Sequence, residues 1–127
     1  MEKFKGKTLV KIEGAESHSD EVKFYFSDGS KANMFHYQDC CEQVFLSDIT
    51  GDIEDLIGTP LEVAEERTEH KEDSHYDEST TFTFYEFRTI KGSVTLRWVG
   101  TSNGYYSESV DINYYSTPDE PFKTDYW

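Results

Sequence analysis

Val22-Lys23-Phe24-Tyr25-Phe26-Ser27-Asp28-Gly29-Ser30-Lys31-Ala32-Asn33-Met34-Phe35-His36 reads as two strands joined by a tight turn. Val22, Phe24 and Phe26 alternate with Lys23, Tyr25 and Ser27, and Asp28-Gly29 suits the positive φ values that close a hairpin. The return strand sets Ala32, Met34 and His36 on one face against Lys31, Asn33, Phe35 and Tyr37 on the other. Both faces carry apolar groups, so the alternation leaves the inward face open. A hairpin this rich in rings and β-branched residues makes antiparallel sheet the organising structure.

Upstream, Thr8, Val10 and Ile12 alternate with Leu9, Lys11 and Glu13, which predicts a half-buried first strand over 7–13. Downstream, Asp39 and Glu42 have the spacing of a capping box, predicting a short helix that buries Cys41, Val44 and Phe45. A second helical turn is predicted over 52–57, capped by Asp52, with Gly58 ending it before Pro60.

Leu61, Val63 and Ala64 then begin a strand that runs into the acid-rich residues 65–78. That run has little apolar surface to bury and is expected to be a mobile, solvated connection. Residues 80–90 predict a long strand with Phe82 and Phe84 on one face and Tyr85 and Phe87 on the other, and hence a bulge near Tyr85. Val94, Leu96 and Trp98 predict a central strand. Residues 101–104 form a second turn, after which Tyr106, Glu108, Val110 and Ile112 share a face.

The expected fold is α+β, mostly antiparallel β: a twisted sheet of roughly six strands with one or two short helices after the third. One β-rich domain is expected over 1–116, followed by a tail over 117–127 that either frays or docks its aromatics on the sheet.

Composition narrows the function. The chain has 26 acids and 12 bases, a net charge of −14, and this field repels phosphate backbones, so direct nucleic-acid binding is not expected. The same field can imitate nucleic acid toward a basic partner, or simply keep the protein soluble. No secretory leader pattern and no apolar run of spanning length is present, and Cys40 and Cys41 are adjacent, a poor spacing for a mutual disulfide. The expectation is a cytoplasmic protein with reduced thiols, no membrane association and no cofactor.

Two groups of side chains are candidate sites. The first would line an aromatic, polar-bottomed pocket: His36, Asp39, Glu42, Trp98, Asn103, Tyr105, Tyr106 and Glu108. Glu108 anchors it, because a carboxylate on the same face as Val110 and Ile112 needs a partner, and His36 is a candidate. The second is a partner-binding acidic surface of Glu65, Glu66, Glu69, Glu72, Asp73, Asp77 and Glu78. Zinc binding by His36 with the two cysteines is not expected, since familiar zinc sites separate their cysteines by two or more residues. A cysteine nucleophile with His36 as base has suitable residue types but no visible oxyanion donor.

His36-Tyr37-Gln38-Asp39-Cys40-Cys41-Glu42, then Ile53-Glu54-Asp55-Leu56-Ile57-Gly58-Thr59-Pro60, then Ser102-Asn103-Gly104-Tyr105-Tyr106-Ser107-Glu108 together resemble a small family common in bacteriophage and prophage genomes. The resemblance covers roughly residues 7 to 113 and implies a mobile-element origin without a reaction to carry over. A small acidic protein of that origin is expected to be a non-enzymatic counter-defence protein. It would inhibit a host immune effector with a basic surface, such as a CRISPR complex, by nucleic-acid mimicry. Alternatives are a sponge for a small nucleotide signal, or a cysteine-dependent enzyme.

Overall fold

The structure is a computed structural model and describes residues 1–38, 41–73, 78–104 and 107–126, with residues 72, 73, 78, 125 and 126 described by backbone alone. Its strands are β1 (Leu9–Glu13), β2 (Val22–Phe26), β3 (Lys31–Phe35), β4 (Gln43–Thr50), β5 (Val63–Asp73), β6 (Glu78–Thr89), β7 (Gly92–Ser102) and β8 (Asp111–Tyr115). They form two four-stranded antiparallel sheets, ordered β1-β2-β3-β8 and β4-β7-β6-β5. The fold is therefore all-β with two sheets, and the expected α+β single sheet with helices is corrected. Helical structure among the described residues is limited to 3-10 turns at Ile53–Leu56 and Lys123–Tyr126. None is long and apolar enough to cross a membrane.

One apolar cluster joins the sheets. Phe24, Phe26, Ala32 and Met34 of the first face Leu46, Tyr85, Phe87, Leu96 and Trp98 of the second. Phe24 meets Phe87 across the gap with ring centroids 5.7 Å apart, and Phe4 sits beside both. The hairpin that organised the sequence pairs Val22 with Met34 and Phe24 with Ala32, so Ala32 and Met34 face inward. At its turn only Gly29 takes a positive φ, of 90°. Asp28 accepts from the Ser30 backbone N–H at 2.9 Å and pairs with Lys7, and these contacts hold its carboxyl well below the usual carboxylate range.

The outward face of β3 is covered as well. Phe122, from the tail, packs on Tyr25 and Tyr115, and the Lys31 ammonium lies 4.3 Å from its ring centre. The Lys123 backbone N–H donates to the Tyr115 hydroxyl at 2.9 Å. Of the two expected behaviours of the tail, docking is the one seen at Phe122. Every residue of β3 is consequently buried, which is why its two faces look equally apolar in sequence.

Three local readings change with the structure. Gln43–Thr50 is a strand where a helix was predicted, with Val44 and Leu46 buried at alternate positions. The acid-rich stretch is strand through Asp73, paired without a slip from Val63↔Arg88 to Asp73↔Glu78; residues 74–77 lie outside the described ones. No bulge occurs in β6, which keeps register with both neighbours through Tyr85. Its second apolar face exists because Phe82 and Phe84 sit outside beneath cationic side chains. Arg67 lies 4.4 Å from the Phe84 ring centre, and Lys71 and Arg97 flank Phe82. The register shifts fall in β1 and β4, and the first turns Val10 out to solvent. Asp52 does cap the first 3-10 turn as predicted, accepting from the Glu54 backbone N–H at 3.1 Å.

Candidate functional site

The inner face of the second sheet changes character along its length. Following β6, the inward positions are Phe87, Tyr85, Thr83, Thr81 and Ser79. Beside them β5 supplies Ala64, Glu66, Thr68 and His70, and β7 supplies Val94, Leu96, Trp98, Gly100 and Ser102. The same alternation thus runs from core into a polar strip. Over that strip lie residues 107–110, leaving a cleft of about 360 Å³ lined by Glu66, Thr68, His70, Ser79, Thr81, Thr83, Tyr85, Gly104, Ser107, Glu108, Ser109 and Val110.

Gly100 is what lets this segment approach. A Cβ there would come 2.5 Å from the Glu108 carbonyl oxygen and 2.7 Å from the Glu108 Cβ, closer than atoms pack. Gly100→Ala should therefore push the segment off the sheet and cost about 1–3 kcal/mol. The shift of the urea midpoint measures this, and an unchanged midpoint would contradict the close contact.

Glu108 is buried, as the period-two reading required, but its partners are hydroxyls. Thr81 Oγ1 donates to one carboxylate oxygen at 2.8 Å, and Ser102 Oγ donates to the other. Because the single proton of Thr81 goes to Glu108, its oxygen must accept from His70 Nδ1, 2.8 Å away. His70 Nδ1 thereby carries a proton, and Nε2 faces Ser79 Oγ at 3.4 Å. The result is a directed chain of hydrogen bonds ending on Glu108.

Tyr85 is fully buried at the inner end of the cleft, and its hydroxyl makes no hydrogen bond. Burial pushes its phenol up, and the Glu66 carboxylate adds to the shift without meeting the hydroxyl in hydrogen-bond geometry. The group therefore keeps its proton. A buried, unmatched polar atom costs about 1–3 kcal/mol. Such a cost at the wall of a cleft marks a position where a ligand atom can compensate.

The remaining sequence candidates separate. His36 does not meet Glu108; its Nε2 pairs with Glu42 at 2.8 Å, with side chains 4% and 0% exposed. Nδ1 donates to the Ser109 carbonyl at 2.7 Å, so one further proton lies between Nε2 and the carboxylate. Gln38 donates to the Glu42 carbonyl at 2.6 Å. Glu42 is thus a buried latch and not a helix cap. Trp98 lies in the core, fully buried, and Asn103 is exposed; neither lines the cleft. Asp39, Tyr105 and Tyr106 lie outside the described residues. Cys41 is disulfide-bonded, which departs from the expected reduced thiol, and Cys40 lies outside the described residues.

The acidic candidates divide as well. Glu65 and Glu69 share the outer face of β5 with Arg67 and Lys71, so charges alternate along it, whereas Glu66 lines the cleft. Glu72, Asp73 and Glu78 are placed by backbone alone, and Asp77 lies outside the described residues. Sequence reasoning missed Thr68, His70, Ser79, Thr81, Thr83 and Tyr85 as a cleft wall. The available signal was the run of Ser79, Thr81 and Thr83 on the same alternate positions as Tyr85 and Phe87.

A family model described as a domain of unknown function, DUF7448, matches residues 2–112. The match takes in the whole lining of the cleft and reaches the second residue of β8. No curated protein and no solved structure matches the chain.

Proposed function

We propose, from the premise that the chain belongs to the DUF7448 family, that the protein acts by binding a small polar ligand in the cleft between β5–β7 and residues 107–110. The observation that carries this reading is the buried, unpaired Tyr85 hydroxyl at the cleft wall. The volume, about 360 Å³, lies at the small end of ligand pockets.

With the resemblance to phage and prophage proteins, capture of a small molecule would serve counter-defence as sequestration of a host signal. The competing form, inhibition of a basic effector by an acidic surface, draws support from the net charge of −14. It is the weaker form, because Arg67 and Lys71 interrupt the acids on the outer face of β5.

Tyr85→Phe removes the unmatched hydroxyl and keeps the ring. The variant should be as stable as the parent or more so by about 1 kcal/mol, since no protein partner is lost. It should lose ligand. Mass spectrometry of small molecules released on heating the two purified proteins makes the comparison, and a molecule retained equally by both would refute the site.

A further inference from the structure

The lining of the cleft is unbalanced in its hydrogen-bonding groups. Thr81 and Ser102 have both committed their hydroxyl protons to Glu108. Ser107 and Ser109 are bonded to one another through their hydroxyls, 2.7 Å apart, which commits one of their two protons. The backbone N–H groups nearby are also engaged: Gly104 donates to Ser102 Oγ at 3.0 Å, and Ser109 donates to Ser107 Oγ at 3.3 Å. Toward the cavity the lining therefore presents the carboxylates of Glu66 and Glu108 together with hydroxyls that can accept as well as donate.

Phosphate recognition needs the reverse, namely cationic side chains or a cradle of unengaged N–H groups. Among the described residues that line the cleft, none is lysine or arginine. An acidic cluster alone would not define a site, but here the unpaired Tyr85 hydroxyl lies in the same wall and lacks a partner that a ligand would supply. The net charge of −14 further raises the local concentration of cations around the mouth.

From this arrangement we infer that the ligand is a small organic cation bearing several N–H groups, of the polyamine or amino-sugar class, bound with an ammonium against Glu108 and Glu66. The inference rests on the cleft being the ligand site and specifies what enters it. The nucleotide signal expected from the sequence fits this lining poorly, because its phosphates would face two carboxylates without a compensating cation.

Isothermal titration calorimetry on the full chain tests the assignment with spermidine, ribitol and adenosine monophosphate as cationic, neutral and anionic probes. Spermidine should bind one per chain. Glu66→Gln and Glu108→Gln should each weaken it about tenfold or more, the scale of one charge-assisted hydrogen bond. Glu66 is exposed, so its variant keeps the fold even if Glu108→Gln does not. The double variant Glu65→Gln/Glu69→Gln removes two charges from the outer face of β5 and should change affinity less than about twofold.

Equal weakening by the outer-face and cleft variants would mean bulk charge attraction, and would overturn the inference. Binding of ribitol or adenosine monophosphate but not spermidine, abolished by Tyr85→Phe, would overturn the ligand class and leave the cleft standing. Binding of none of the three would overturn the inference, while Tyr85→Phe and the heat-release comparison would decide the cleft separately.

Discussion

Glu42→Ala should destabilise the protein by about 3–5 kcal/mol, the cost of leaving one member of a buried, hydrogen-bonded pair without the other. The His36 and Glu42 side chains are almost wholly removed from solvent, and the imidazole is held at its other nitrogen by the Ser109 carbonyl, so it cannot swing out to water without a second loss. Glu42→Gln should be milder, since the amide oxygen can still accept from Nε2. His36→Leu combined with Glu42→Leu should recover much of the deficit, because the pair is then replaced by apolar groups and no charge is stranded. Urea unfolding of the two single variants and the double variant gives the coupling directly. A Glu42→Ala midpoint equal to that of the parent would show that the latch contributes nothing.

Trp98→Ala should cost about 3–5 kcal/mol, the usual range for deleting a fully buried large aromatic side chain. For a domain of ordinary stability, about 5–15 kcal/mol in total, that is a large share. The loss comes from the core and not from ligand contacts, because Trp98 packs between the sheets and the cleft is lined by its neighbour across the strands, Thr83. Trp98→Phe keeps most of the volume and removes an indole N–H that has no partner, so it should come close to the parent. Thermal melts of the two variants separate these effects. A Trp98→Ala protein of parental melting temperature would show that the indole is not a core element.

What could be read in the sequence follows from how strongly each stretch specifies its own backbone. The outgoing strand of the hairpin, through Val22, Phe24 and Phe26, and the strand through Val94, Leu96 and Trp98 are legible because one face is wholly apolar and the adjoining turns carry glycine. Glu108 stood out as a carboxylate on an inward face, and it is buried and bonded. Its partners were not legible, because Thr81 and Ser102 reach it only once β6 and β7 pair and Gly100 admits residues 107–110.

The errors have physical causes too. The spacing of Asp39 and Glu42 fits a helix cap, yet the side chain of Glu42 found its partner six residues earlier in His36. The alternation of Val44 and Leu46 was present but was outweighed by the cap signal. Residues 65–73 have the composition of a solvated loop, yet their backbone pairs with β6, a strand whose own rings supply the apolar surface that β5 lacks. Strand membership there was decided by the partner, which a residue-by-residue reading does not see.

The order of strands also bears on how the chain comes together as it is made. β4, β5, β6 and β7 are consecutive in sequence, and all of the second sheet's pairings are antiparallel. That sheet can assemble as soon as the chain has passed Ser102. The first sheet cannot: β3 must wait for β8, which arrives about 80 residues later, and then for Phe122 to cover its outer side. Until β8 arrives β3 presents an open edge, and until Phe122 docks its outer side is bare, so removing residues 116–127 should leave the edge paired and strip only the outer cover from this wholly buried strand.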